Sequence, residues 1–225
     1  MGAPSRILVT GFGPFPGVPE NISAWLALRL ASGYVRPAFN GRVEAHVLPT
    51  EWAEVARLAP ALLNSVRPRL VLHLGVSRRA RGIRLERRAE NIADARIDAR
   101  GALPPSATVF EGKPAILRTP LPATRLAARL RDHGLSAAAS RSCGAYLCNF
   151  LYYRSLDWAH RQPSPCDVLF VHVPAGAGNG VTPAGAELLR GASLLLDWLL
   201  AHIEQGDSGE QSRRDRAIMP AAAAS

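Results

Sequence analysis

The segment DVLFVHVP, residues 167–174, is a short and almost wholly apolar run. Runs of this kind are typical of strands that are buried on both faces of a parallel sheet. Three further segments share this character and predict the other strands of a central sheet: RILVTGF at 6–12, residues 43–48, and RLVLHLGV at 69–76.

Segments with helical spacing separate these four runs. We predict helices over residues 22–30, 52–66, 123–132 and 145–158, and from 183 to about 204. The last helix has the clearest start, because the Thr182 hydroxyl can cap it and Pro183 stands at the one helical position that tolerates proline. Alternating strands and helices predict an α/β fold, in which a twisted, mostly parallel sheet is flanked by helices on both faces.

The chain length suits a single domain, which we place at residues 1–205. Residues 206–225 are polar and small, with little to pack, and predict a mobile C-terminal tail. Residues 92–122 are rich in proline and glycine, and they fit either short strands or an excursion over the active face.

The composition indicates a folded globular protein, with 48% hydrophobic and 20% charged residues. No uninterrupted apolar run reaches the roughly 18 residues that a membrane span needs. The N-terminus leads from Met1 almost directly into the first strand, without the basic region of a signal peptide. We therefore expect a cytoplasmic protein that does not act at a membrane.

The net charge of +9 raises the question of nucleic-acid binding. Of the 27 basic residues only Lys113 is a lysine, and the arginines are scattered apart from a cluster within residues 78–88. Replacement of lysine by arginine beside abundant alanine is more typical of compositional drift than of a nucleic-acid partner. We expect no nucleic-acid partner, and the arginine cluster is the one feature in its favour.

The three cysteines, Cys143, Cys148 and Cys166, cannot all pair, and we expect them to stay reduced. Cys148 is the most informative, because it falls in the first turn of a predicted helix. A cysteine is usually a small buried hydrophobe, but unpaired amides at a helix N-terminus stabilise a thiolate and can hold an oxyanion. A zinc site formed by Cys143, Cys148 and His172 is disfavoured, because the spacing matches no recognisable ligand pattern.

A nucleophilic cysteine needs a base, and the base needs an acid to orient it. His73 in LVLHLG and His172 in VLFVHVP lie in similar predicted strands, and either could be a hydrogen-bonded core residue. The candidate acids are Glu86, Glu90 and Asp94, which could equally be surface residues balancing nearby arginines. The pattern alone ranks neither the histidines nor the acids.

The first strand ends in the loop TGFGPFPG, residues 10–17. Gly11 and Gly13 suggest a dinucleotide fingerprint, but Pro16 stands where the third glycine should lie. The loop instead offers Phe12 and Phe15 beyond the carboxyl edge of a strand, where open α/β sheets bind ligands. Both rings could also be core residues.

Four motifs in order, TGFGPF, LERRAENIADARI, SCGAYLCN and FVHVP, resemble pyroglutamyl peptidase I, the pyrrolidone-carboxylate peptidase family of cysteine exopeptidases. The resemblance covers most of residues 6–203 and leaves the tail outside. It implies a single α/β domain, often assembled as a homotetramer, with a Cys-His-Glu catalytic set. In that set Cys148 would be the nucleophile, His172 the base, and Glu86 the acid that fixes the imidazole.

The resemblance also implies a pocket for the five-membered lactam of a pyroglutamyl residue. Phe12 and Phe15 match the aromatic residues that line this pocket, and Asn21 matches a substrate-side asparagine. The loop at Gly75 and Val76 corresponds to the backbone contact with the lactam amide.

The sequence departs from the family pattern at three places. Residues 77–82, SRRARG, stand where the family has a glycine-rich turn, and Pro16 replaces the first glycine after the aromatic pair. Glu90 occupies a place that the family gives to an apolar residue. These departures bear on substrate range and subunit contacts. Arg96 is also matched, and we assign it a structural role.

From this resemblance we expect a cysteine peptidase that hydrolyses the amide bond after an N-terminal pyroglutamyl residue, through an acyl-enzyme. We expect no metal or organic cofactor. The expected partners are pyroglutamyl peptides and further copies of the chain, in a dimer or tetramer. The alternative is a non-catalytic protein of the same fold, which binds lactam-ended peptides or uses its arginine cluster for an acidic partner.

Overall fold

The computed structural model of the chain describes residues 6–32, 39, 41–177 and 182–218, which form eight strands and five α-helices. All four predicted strands and all five predicted helices are present. The strands are Ile7–Phe12 (β1), Val43–Leu48 (β2), Leu70–Ser77 (β3), Ile83–Glu86 (β4), Arg88–Glu90 (β5), Ile116–Arg118 (β6), Ala137–Ser140 (β7) and Asp167–Pro174 (β8). The helices are Ile22–Ala31 (α1), Trp52–Val66 (α2), Ala123–Asp132 (α3), Leu147–His160 (α4) and Pro183–Ile218 (α5).

Six strands form one sheet in the order β2-β1-β3-β8-β4-β7, and β5 and β6 form a separate antiparallel pair. Neighbouring strands of the large sheet are parallel except β4 and β8, which are antiparallel. The predicted α/β fold with a mostly parallel sheet is confirmed. The sequence pattern did not predict β4 to β7, because these strands are only three or four residues long and none is a wholly apolar run.

Helices cover both faces of the sheet, as predicted. One apolar cluster joins α1, α3 and α5 to one face, and a second cluster joins α2 and α4 to the other. Residues of β8 alternate between them: Leu169 and Val171 belong to the first cluster, and Val168 and Phe170 to the second. His172 follows this alternation and lies on the face that α4 covers.

Gly11 lies where α1 crosses β1. A Cβ atom at Gly11 would lie 2.2 Å from the backbone oxygen of Ser23, so no side chain fits between strand and helix. The Phe12 amide also donates a hydrogen bond to Ser23 Oγ, at 3.0 Å. The glycine that suggested a dinucleotide motif is therefore required by helix–strand packing.

The start of α5 agrees with the prediction and its end does not. The amide of Gly185 donates to Thr182 Oγ1 at 3.0 Å, which confirms the predicted cap. The helix continues to Ile218, beyond the predicted end near residue 204, and the domain boundary at residue 205 stays a prediction. Residues 219–225 lie outside the described residues, and mobility of the tail remains a prediction. Within the described ranges, no helix is long and apolar enough to cross a membrane.

His73 is a core residue of β3. Its Nδ1 lies 2.7 Å from Thr10 Oγ1, and its Nε2 lies 2.9 Å from Ser155 Oγ, so both ring nitrogens are hydrogen-bonded. Burial lowers the pKa of His73 from 6.5 to about 3, because a charged ring is poorly solvated there. At neutral pH this histidine is uncharged.

The lowered pKa predicts a loss of stability in acid that originates from His73. The unfolded chain takes up a proton at this ring near pH 6.5, whereas the folded protein resists protonation down to about pH 3. We expect the excess unfolding free energy of the wild type over His73→Gln to shrink as pH falls from 6.5 to 3. Chemical denaturation at several pH values measures it, and a pH-independent difference would contradict the assignment.

Candidate active site

Cys148 is the second residue of α4, and it therefore lies in the first turn of the helix, as predicted. The helix is preceded by Tyr146 in an extended conformation, and among the described residues no side chain caps its first turn. That turn also contains no acidic residue. The unpaired amides and the positive end of the helix dipole at the start of α4 therefore lie beside Cys148, with no acidic side chain in the same turn.

His172 and Glu86 meet across the antiparallel pair of β8 and β4. Arg84 lies opposite His172 in the register and Glu86 lies opposite Phe170, so Glu86 is the diagonal neighbour of His172 on one face. His172 Nδ1 donates to Glu86 Oε1 at 2.9 Å. Both residues are buried, His172 with 5% of its surface exposed and Glu86 with none.

The pKa of His172 is raised from 6.5 to about 9. Burial by itself lowers this pKa, but the charge of Cys148 and a hydrogen bond with the Cys148 side chain raise it, and Glu86 adds to the increase. Because Glu86 holds Nδ1, the ring nitrogen left for Cys148 is Nε2. The imidazole therefore stands between the sulfur and the carboxylate.

Gly75 provides the space that Cys148 occupies above the sheet. It pairs with His172 in the register of β3 and β8. A Cβ atom at Gly75 would lie 3.0 Å from Cys148 Sγ and 2.8 Å from Cζ of Phe170. A side chain at this position would push the sulfur or the phenyl ring out of place.

Gly75→Ala should displace the sulfur from the imidazole. We expect alkylation of Cys148 by iodoacetamide to slow by about 10- to 100-fold, because small displacements of reacting groups have effects of this size. Gly176→Ala is the matched control, since nothing lies within 4 Å of a Cβ atom there. Equal alkylation rates in the two variants, measured by mass spectrometry of the labelled peptide, would contradict the packing argument.

The raised pKa of His172 predicts a pH dependence opposite to that of His73. A folded-state pKa above the ordinary value contributes stability that is present below about pH 6.5 and is lost as pH rises through about 9. We expect the difference in unfolding free energy between the wild type and His172→Gln to decline over that interval. A difference that grows toward pH 9 would show that His172 does not hold its proton in the folded protein.

The structure separates the three candidate acids. The carboxylate of Glu90 pairs with Arg88 at 2.9 Å. Asp94 is exposed, and its amide donates to the Ala145 carbonyl. Of the three, Glu86 is the one that contacts His172.

The loop after β1 turns sharply at Pro16 and Gly17. The amide of Val18 donates to the Phe15 carbonyl at 2.8 Å, and the Phe15 amide donates to the Val18 carbonyl at 3.1 Å. Gly17 has a φ of +81°, which a type II turn requires at its third residue, and proline suits the second. Pro16 is thus accommodated by the turn that it helps to form.

The substrate-side candidates lie along this loop and at the end of β3. Phe12 is buried in the cluster that α4 covers, whereas Phe15 is half-buried. Asn21 caps α1 by accepting from the Ser23 amide at 3.2 Å, and its Nδ2 donates to the Gly13 carbonyl. The Asn21 side chain therefore holds the loop in shape.

Arg78 connects the loop after β1 to the loop after β3. A Cβ atom at Gly17 would lie 2.7 Å from Nη2 of Arg78, so the guanidinium rests on the turn. Arg78 is exposed and belongs to the SRRARG segment. The SRRARG segment, which departs from the family pattern, thus packs against the turn that contains the second departure, Pro16.

Several residues that shape the site were missed from the sequence. Asp98 accepts from the Trp52 amide at 2.8 Å and so caps α2 from a distant loop. Asn149 and Tyr152 are fully buried polar residues of α4. The sequence signal for Asn149 and Tyr152 would have been their position: both are polar residues on the helix face that is predicted to pack against the sheet.

Arg96 makes a contact that suits the structural role that we expected of it. Its guanidinium lies 3.7 Å from the centre of the Tyr146 ring.

The described cysteines, histidines and acids do not assemble a metal site. In the part of the chain that the structure describes, no three such residues are grouped as ligands for an ion. All three cysteines are described, and none forms a disulfide. The groups present instead are a cysteine at a helix start, an imidazole and a buried carboxylate, and this set is typical of cysteine hydrolases.

Comparisons with known proteins agree with this class. Residues 5–185 match the pyroglutamyl peptidase family, and the chain belongs to that family. The pyrrolidone-carboxylate peptidase of Thermococcus litoralis is 32% identical over 170 residues, which cover 75% of this chain and 76% of the relative.

Solved structures give the same result. The pyrrolidone carboxyl peptidase of Thermococcus litoralis superposes with a TM-score of 0.78 at 26% identity, over 90% of this chain and 96% of that one. The enzyme of Thermus thermophilus superposes with a TM-score of 0.72 at 31% identity, over 85% and 98% of the two chains.

Proposed function

We propose that this protein is a cysteine exopeptidase that hydrolyses the amide bond after an N-terminal pyroglutamyl residue of peptides. Membership of the pyroglutamyl peptidase family supports the reaction. The observation that carries the residue assignment is the pair of contacts that His172 makes, one with the half-buried Cys148 and one with the buried Glu86. These contacts join a nucleophile, a proton carrier and an orienting carboxylate.

His172, the base that takes the proton of the Cys148 thiol, already carries that proton in the free protein, in line with its raised pKa. In the first half of the reaction the sulfur attacks the carbonyl carbon of the pyroglutamyl residue. The oxygen of the tetrahedral intermediate is negatively charged, and amides at the start of α4 can donate to it. The intermediate collapses when the C–N bond breaks and His172 gives its proton to the leaving amine. A thioester with Cys148 remains.

In the second half, His172 accepts a proton from water while the water oxygen attacks the thioester. The C–S bond then breaks, pyroglutamate leaves, and the proton taken from water stays on His172 beside the sulfur. Glu86 keeps Nδ1 of the ring occupied throughout, so Nε2 is the nitrogen that exchanges protons. The thiol, the imidazole and the backbone amides supply all the groups that these reaction steps need, and no cofactor takes part.

The proposed lactam pocket lies at the carboxyl ends of β1 and β3, beside the sulfur. Phe15, Gly75 and Val76 would border the lactam ring, with backbone groups of the last two serving its amide. Phe12 and Asn21 would act by fixing the shape of the loop, since one is packed in the core and the other caps α1. An uncharged lactam suits apolar walls with a few backbone hydrogen bonds.

The cellular setting rests on the family resemblance. We propose that the protein acts in the cytoplasm as a dimer or tetramer. Sedimentation of the purified chain at several concentrations would test the assembly.

Replacing Cys148 by alanine should remove activity toward a fluorogenic pyroglutamyl amide. We expect kcat to fall by about 1,000-fold or more, since the variant has no nucleophile. Cys166→Ala is the matched control: burial raises the pKa of Cys166 to about 12, which leaves its thiol protonated and unreactive.

Two results would contradict the proposed function. Normal turnover by Cys148→Ala would exclude this residue as the nucleophile. Tight binding of a pyroglutamyl peptide by the wild type without any release of product would indicate the non-catalytic alternative.

A further inference from the structure

Asn149 follows the candidate nucleophile directly and is completely buried. Its Oδ1 accepts from the amide of Glu90 at 2.9 Å. Its Nδ2 donates to the carbonyls of Glu90 and Ile92, at 2.8 Å and 2.9 Å. The side chain thus ties the first turn of α4 to the end of β5 and to the segment that follows it.

Tyr152 forms a second connection one turn further along α4. Its side chain is fully buried, and its hydroxyl donates to the backbone carbonyl of Glu86 at 2.9 Å. Residues 149 and 152 are three apart and lie on the same side of the helix. The hydrogen bonds of both residues therefore join the helix that carries Cys148 to the chain segment that carries Glu86.

This arrangement links the two ends of the proposed catalytic set. Glu86 fixes His172 through its carboxylate, while its own carbonyl and the backbone at Glu90 and Ile92 hold α4. Among the described residues no side chain caps the start of α4. The hydrogen bonds of Asn149 to the backbone at Glu90 and Ile92 are therefore the polar contacts that hold the first turn in place. Reacting groups must be held within about 0.5 Å of the productive geometry, and buried hydrogen bonds to rigid backbone are suited to this.

We propose that Asn149, assisted by Tyr152, is a positioning residue that sets the Cys148 sulfur against His172. The inference rests on the proposed function. Asn149 does not touch the substrate; it acts on the reaction through the register of α4 against β4 and β5.

The chain contains a matched control for Asn149. Asn91 is also buried and also makes three hydrogen bonds to backbone, accepting from the Phe110 amide and donating to the carbonyls of Phe110 and Lys113. Its contacts hold a neighbouring loop and not α4. Asn91→Ala and Asn149→Ala therefore remove the same number of hydrogen bonds from similar surroundings.

We expect Asn149→Ala to lower kcat for a pyroglutamyl amide by about 10- to 100-fold with KM within about twofold of the wild type. Alkylation of Cys148 by iodoacetamide should slow by a similar factor. Asn91→Ala should lose a comparable amount of thermal stability but keep kcat and the alkylation rate within about threefold of the wild type. All assays are run below the melting temperature of the least stable variant.

A second pair covers the case in which Asn149→Ala does not fold. Tyr152→Phe removes only the hydroxyl that bonds to Glu86, whereas Tyr153→Phe removes a hydroxyl that donates to the Pro114 carbonyl. We expect a lower kcat and slower alkylation in Tyr152→Phe and little change in Tyr153→Phe.

The outcomes separate the inference from the proposed function. Equal kcat and equal alkylation rates within each matched pair would overturn the positioning role, whatever the loss of stability. If the wild type does not hydrolyse pyroglutamyl amides, the proposed function fails. The alkylation rates would still decide whether Asn149 positions the sulfur.

Discussion

The hydrogen bond between Glu86 and His172 is the contact around which the site is organised. A carboxylate without solvent contact is costly to bury unless it is paired. Glu86 offsets part of that cost through Oε1, which accepts from the imidazole at 2.9 Å and lies 3.5 Å from Nη2 of Arg84, whereas Oε2 is buried without a hydrogen-bond partner among the described residues. The pairing occurs where β4 runs against β8, so among the described strands of the large sheet the antiparallel contact is the one that brings the proposed acid and base together.

The proposed nucleophile, Cys148, reaches this pair from the other side of the imidazole, on helix α4. Cys148 fits above the sheet because β3 presents Gly75 at the point where a side chain would collide with the sulfur. Asn149 and Tyr152 then fasten α4 to the backbone of β4 and β5. Two separate parts of the chain, the segment from β3 to β5 and the segment from α4 to β8, thus meet at the site through steric and polar contacts.

The long strands and helices could be predicted from the sequence because each has enough residues for its apolar pattern to be distinct. It could not predict β7, whose sequence is AAAS, since strand formation there depends on pairing with β4. It also could not choose between His73 and His172, because both lie in buried strands on the same face. The two histidines are distinguished by their hydrogen-bond partners. His73 contacts the hydroxyls of Thr10 and Ser155, whereas His172 contacts the side chains of Glu86 and Cys148.

Glu86 shows the same limit of sequence reasoning. Nothing in LERRAENIADARI indicates which acid is buried, because its partner lies 86 residues away along the chain. The family resemblance selected Glu86, and the structure brings this acid to the ring. The predicted end of α5 failed for a different reason, since a polar composition after residue 205 does not by itself stop a helix.

The two buried imidazoles give the site a charge pattern that ordinary changes in acidity do not alter. His73 is neutral above about pH 3, and His172 keeps its proton below about pH 9. They stand on adjacent strands, with His73 aligned to Phe170 and Gly75 aligned to His172. Over the interval between those two values neither ring changes its charge with pH in the free protein, so an uncharged ring in the core stands next to a charged ring beside Cys148.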